Sequence, residues 1–217
     1  MNRTRIAGLI FMVAATSTLF AGGSSEVTVE TEISAPGTPV SVEIVAGEHY
    51  LHRMRILPLI TVKNPPQMAI WTETADGEFL ETLLVTNRIG RQEWRKAPGD
   101  STPAEEIRRQ EALPVWSYAR GRANENGMLL PTRDDPAPDA VTVATPDVDF
   151  EVKTSYPNRQ DGVIVYLEVN ASTDFNDTYP KDAVVGSPGY SGGVWGSGQP
   201  SLVYRGIADP ADPHAGT

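Results

Sequence analysis

Three stretches of this chain carry side chains capable of chemistry. Glu48-His49-Tyr50-Leu51-His52 holds two of the three histidines. In a strand, positions 49 and 52 face opposite ways, so a shared metal ion would need a helix or turn there. One surface and one partly buried histidine near a strand start is the simpler expectation, and His214 lies in the C-terminal tail. Asp174-Phe175-Asn176-Asp177-Thr178, with Asp182 beyond, sets oxygen ligands on a loop that a hard cation such as Ca²⁺ could use. It lacks the sixth-position glycine and the distal glutamate of an EF-hand loop. Asp and Asn also favour turns closed by side-chain to backbone hydrogen bonds. Asp174, Asn176 and Asp177 therefore stand as metal candidates behind the expectation of a solvated turn, as does Asp134-Asp135. In Gly189-Tyr190-Ser191-Gly192-Gly193 the serine sits in a glycine-rich loop rather than between a strand and a helix, and no histidine stands in a partner role. No helix pattern follows Gly192-Gly193 or Gly196-Ser197-Gly198 to supply a phosphate-binding cluster of N–H groups. No catalytic residue is assigned, and an enzyme is not expected.

A fourth segment resembles a known signature. Asp139-Ala140-Val141-Thr142-Val143-Ala144-Thr145 is similar to the Asp-x-x-Ser/Thr-Gly-Ala-Thr/Ser sequence at which flavin transferases attach FMN, through a phosphoester, to the final hydroxyl. Asp139, Thr142, Ala144 and Thr145 match, and Val143 replaces the glycine. A β-branched residue does not readily take the positive φ that a glycine there can supply. The resemblance implies covalent FMN at Thr145, with Asp139 helping to position the segment. The leading expectation is a loop entering the strand at Val148 with no cofactor, and FMN at Thr145 is the alternative.

The elements that would position these residues are mostly strands. Gly and Pro, at 19 and 18 residues, favour short strands joined by turns. Val27, Val29, Thr31 and Ile33 alternate with polar residues, and so do Val40, Val42 and Ile44 after Pro36-Gly37, the period of two of half-buried strands. His49 to Val62 is extended, with a break, bulge or edge near Pro58. Met68 to Thr74 and Glu78 to Val85 flank Asp76-Gly77, a strong hairpin signal, with a positive φ expected in a two-residue turn. Gly192, in a loop with room to relax, is expected to tolerate substitution better than Gly77. Ser101-Thr102-Pro103-Ala104-Glu105 predicts one short helix with its body over 105–112, stopping at Pro114. Val115 to Asp139 reads as a long surface loop. Val148 to Thr154 and Val163 to Val169 read as a second hairpin, followed by a Gly-, Ser- and Asp-rich loop over 171–198 and a last strand over 200–207. Trp71, Phe79, Leu83, Phe150, Ile164, Tyr166 and Val203 are the expected core.

Arg3 and Arg5 precede an uncharged run from Ile6 to Phe20, and Ala21-Gly22-Gly23-Ser24-Ser25 follows. This is the order of an export signal cleaved near residue 25, and the run of about 15 residues falls short of the roughly 20 that cross a bilayer. A periplasmic or secreted protein with no stable membrane span is expected. The net charge of −10 repels phosphate backbones and anionic lipids, which argues against nucleic-acid partners and lowers the prior for membrane-surface binding. With no cysteine, thiol catalysis and Cys-ligated metal sites are excluded.

The order of the Ile70-Trp71 strand, Ala75-Asp76-Gly77 turn, Thr82-Leu83 strand, Arg120-Gly121 loop and Asp139 to Thr145 resembles a family of predicted periplasmic domains of unknown function with an immunoglobulin-like sandwich. Its members are associated with flavin-transferase and membrane-redox gene neighbourhoods, and the resemblance spans roughly Gln67 to Val169. The expected architecture is all-β, a single antiparallel immunoglobulin-like β-sandwich over 26–208 with one short helix, a loop excursion at about 97–146 and a flexible tail over 209–217. The expected function is a non-enzymatic exported binding or accessory domain in a periplasmic or cell-envelope redox or ion-handling system, with an unknown protein or small-molecule partner. A covalent FMN carrier at Thr145 is the alternative, and a surface adhesion or structural module the third option.

Overall fold

The computed structural model describes residues 10–15, 27–31, 37–57, 59–97, 101–103, 106–124, 126–132, 134–135, 141–156 and 162–209. It is mostly β, with two sheets, one separate hairpin and two short helices among the described residues. Chain order runs β1 (Ile10–Ala15), β2 (Val27–Glu30), β3 (Thr38–Val45), β4 (His52–Leu57), β5 (Ile60–Asn64), β6 (Gln67–Glu73), β7 (Phe79–Thr86), α1 (Asn87–Gly90), α2 (Pro114–Arg120), β8 (Val141–Val143), β9 (Phe150–Tyr156), β10 (Val163–Asn170) and β11 (Leu202–Ala208).

One sheet has the order β1-β3-β9-β2 and the other β11-β10-β6-β7-β8. Pairing is antiparallel except at two edges, where β2 runs parallel to β9 and β8 parallel to β7. The period of two in β3 and β9 turns Val40, Val42, Ile44, Phe150 and Val152 onto Met68, Ile70, Leu83, Val165 and Leu167 of the other sheet, forming one shared core. Residues of β6 are buried on both faces. Ala69 and Trp71 point away from the shared core and pack with Val85, Ile89, Ala112, Leu113 and Trp116. The excursion after β7 thus forms a third layer, and its burial explains why Met68-Ala69-Ile70-Trp71 is continuously apolar.

Several expectations need correction. The helix in the excursion begins at Pro114, where the sequence suggested it would stop; Glu106 is 3₁₀ and 107–112 is turn and irregular backbone. Proline at the first helical position has no N–H to waste and a φ already suited to the helix. β9 and β10 are not a hairpin. β9 pairs with β3 and β2 while β10 pairs with β6 and β11, so the chain crosses between sheets. Adjacency in sequence favours a hairpin, but the alternation in β9 needs only one covered face, whereas β10 is buried almost throughout and belongs in the middle of the larger sheet. Of the expected core, Trp71, Leu83, Phe150 and Ile164 are buried, Phe79 and Tyr166 are half-buried against the outer cluster, and Val203 is 43% exposed on the edge strand β11.

The Asp76-Gly77 hairpin forms, with a loop of three residues rather than two. Thr74 and Glu78 close it, and Gly77 alone takes the positive φ, at 85°. The stretch expected to break near Pro58 folds back on itself as the β4–β5 hairpin, with a register shift between Arg55 and Leu57; Pro58 itself lies outside the described residues. β1 falls within the segment read as an export signal and pairs with β3 from Ile10 opposite Val45 to Ala15 opposite Val40. Cleavage near residue 25 would remove β1 and bare that edge of β3.

Candidate functional site

The FMN-like segment ends at a cleft. β8 runs parallel to β7 with Val141 opposite Leu84, Thr142 opposite Val85 and Val143 opposite Thr86. This register carries Ala144 and Thr145 to the end of the sheet where the chain leaves β7 and enters the single turn α1. Between them lies a cavity of about 240 Å³ lined by Asn64, Pro65, Gln67, Thr86, Asn87, Arg88, Ala144 and Thr145.

Hydrogen bonds fix the walls of this cleft. Thr86 Oγ1 donates to Gln67 Oε1 at 2.9 Å and accepts from the Met68 N–H at 3.3 Å. Thr145 Oγ1 donates to the Pro66 carbonyl at 2.8 Å, and the Tyr50 hydroxyl donates to the Pro146 carbonyl at 2.9 Å, so residues 145–146 are pinned from two sides. Burial, then Asp147 and Asp149, push the Tyr50 hydroxyl far above its ordinary pKa, which keeps it a donor. Arg88 reaches Asn64 Oδ1 at 3.3 Å, its hydrogen-bond partner among the described residues. Partial burial and then the nearby Arg95 lower its pKa, so the guanidinium is an incompletely solvated cation next to a second one. Such a cation gains when an anion arrives.

The expected site residues divide. Thr145 and Ala144 line the cleft. Thr142 sits within β8, beside the α1 glycine Gly90, and Val143 is extended strand opposite Thr86, so no positive φ is required of it here. Asp139 lies outside the described residues. Asn176 Oδ1 accepts from the Thr178 and Tyr179 N–H groups at 2.9 Å each, the expected turn, while Asp174 Oδ2 accepts from Gln199 Nε2 at 2.7 Å and Asp177 is exposed. Among the described residues no three His, Asp or Glu side chains converge. His49 is exposed and His52 half-buried, as the strand-start reading expects. Ser191 is buried, its Oγ accepting from the Gly198 N–H at 3.0 Å, so it braces its loop.

Sequence reasoning missed Arg88, Gln67 and Asn64, because nothing in their spacing marks them; only strand register brings them together. It also missed Glu168. This carboxylate is 0% exposed in the middle of β10 and accepts from the Val115 and Trp116 N–H groups at 3.2 and 2.7 Å and from Ser201 Oγ at 2.5 Å. It caps α2 from another layer, supplying the acceptor that Leu113 at the N-cap lacks. Burial outweighs those three bonds and raises its pKa.

No protein-family model, curated protein or solved structure matches the chain. Among the described residues no helix is long and apolar enough to cross a membrane.

Proposed function

We propose that this is an exported, non-enzymatic binding or accessory domain of a periplasmic or cell-envelope redox or ion-handling system, built on an immunoglobulin-like sandwich, with the Arg88 cleft as its ligand site. The observation that carries the proposal is the meeting of Arg88 with three amide side chains (Asn64, Gln67 and Asn87) around one cavity. A cationic fork ringed by amide side chains selects a small anion, a phosphate or carboxylate group, while the Thr86 and Thr145 hydroxyls, whose protons go to Gln67 and Pro66, only shape the wall. In a thermal melt at fixed ionic strength, inorganic phosphate should raise the midpoint over chloride, because a ligand that binds only the folded state stabilises it. Equal midpoints with phosphate, acetate and chloride would count against the site.

A covalent FMN carrier is a second reading, favoured by Thr145 lying in the same cleft as Arg88, where a phosphoester would meet a cation. Two features weigh against it. The Thr145 hydroxyl is already engaged by Pro66, and about 240 Å³ falls below the ~300 Å³ at which sites for drug-sized ligands begin, so the isoalloxazine ring would lie outside. Intact mass after co-expression with a flavin transferase separates the readings: the first expects no added FMN mass, the second an addition that Thr145→Ala erases.

A further inference from the structure

We propose that the β4–β5 hairpin is a docking arm for an anionic lipid surface. The hairpin belongs to neither sheet. An isolated two-stranded hairpin is marginal in water, and this one is held at its base by the Arg88–Asn64 hydrogen bond, so its exposed apolar tip calls for something to cover it. Its exposed side chains are of two kinds. At and after the turn, Leu59 is 97% exposed, and Ile60 and Val62 are exposed as well. Further from the turn the register sets Arg53 opposite Lys63, both exposed.

Charge is as segregated as apolar surface. The chain carries −10, yet residues 49–72 contain Arg53, Arg55 and Lys63 and no Asp or Glu. The net charge therefore conceals a local cationic collar behind an apolar tip. The dimensions suit a bilayer interface. Leu59 and Lys63 are four residues apart, about 13 Å along a strand. A tip sunk ~5–10 Å into the boundary between headgroups and acyl chains leaves Lys63 and Arg53 level with the lipid phosphates. Each cation held near an anionic leaflet adds to the attraction.

A second copy of the chain is the rival occupant, since its acidic surface would also attract the collar. It would have to offer an apolar recess for Leu59 and Ile60 beside anionic groups, and the Arg88 cleft carries a cation that repels the collar. This inference is independent of what the cleft binds.

The test is flotation of the full chain with vesicles of phosphatidylglycerol and phosphatidylethanolamine, and with vesicles of phosphatidylcholine alone. Three forms are compared: the parent, the tip variant Leu59→Asp with Ile60→Asp, and the collar variant Arg53→Glu with Lys63→Glu. All four residues are exposed, so melting midpoints should match, and every form carries the same N-terminus, so differences report the hairpin alone. Binding to the anionic vesicles, weakened by salt and reduced roughly tenfold or more in both variants, is expected. Equal binding by all three forms, or no binding by the parent, overturns the proposal. So does self-association of the parent, seen by sedimentation, that either variant abolishes.

Discussion

Two charged groups withdrawn from water, Glu168 and Arg88, have opposite surroundings. Glu168 is sealed and has three donors within hydrogen-bond reach, two from the first turn of α2 and one from Ser201. Arg88 is half-buried, makes one long hydrogen bond among the described residues, and borders a cavity. A buried charge whose partners are all present ties layers together. A half-buried charge with donors to spare is a place for something to bind. The contrast explains why the carboxylate is assigned to architecture and the arginine to function, although burial disfavours the charged form of both.

The largest expected effect follows from removing the sealed group. Glu168→Ala leaves two helix N–H groups and a hydroxyl without their acceptor and opens a void between β10 and α2. Each orphaned donor costs ~1–3 kcal/mol, so a loss of at least about 3 kcal/mol is expected in chemical denaturation. Arg88→Ala should cost under about 1 kcal/mol. Similar losses in the two variants would break the contrast.

Next come the two glycines. The expectation that Gly192 would tolerate a side chain better than Gly77 is reversed by the structure. Both have a positive φ, but a Cβ at Gly77 meets open space, whereas one at Gly192, with φ of 92°, would collide with the Glu111 carboxylate and crowd Arg109. The Arg109 guanidinium donates to the Gly192 carbonyl, so the loop is clamped from below. Gly192→Val should therefore be more destabilising than Gly77→Val by ~1–3 kcal/mol, the usual cost of overpacking. Denaturation midpoints of the pair decide the order.

A smaller effect is the pH dependence of stability. Burial raises the Glu168 pKa above the ordinary 4.5, so the folded state holds this proton more tightly than the unfolded chain. That contribution is fully present below about pH 4.5 and is lost as pH rises through the folded value. Glu111, also raised chiefly by burial, acts in the same direction. Glu168→Gln should flatten the part of the stability profile that falls as pH rises above about 4.5, and an unchanged profile would remove Glu168 as its source.

Much of the fold was legible because its strands obey local rules. The alternation of Val40, Val42 and Ile44, the Asp-Gly turn and the break near Pro58 all appear as strands, a turn and a reversal. Pairing was less legible. Nothing local tells β9 to join β3 while β10 joins β6, and Pro114 starts α2 because Glu168, more than fifty residues away, caps it. The site was legible only at Thr145 and Ala144, through a resemblance. Arg88, Gln67 and Asn64 come from strand ends and a single helical turn, and their convergence exists only once β8 lies parallel to β7. The expected export signal is tested separately: N-terminal sequencing from the envelope fraction should find a start between Gly22 and Glu26, and an intact Met1 in the cytoplasm would contradict it.

The central claim is that Arg88 is the anion-binding group of the cleft. Titration calorimetry with inorganic phosphate, on the parent and on Arg88→Gln at matched ionic strength, tests it most directly. The account predicts saturable binding by the parent and at least about a tenfold weaker affinity in the variant, the cost of one lost charge-assisted hydrogen bond, with the unfolding midpoint unmoved. Phosphate binding of equal strength in both proteins, or none in the parent, would contradict it.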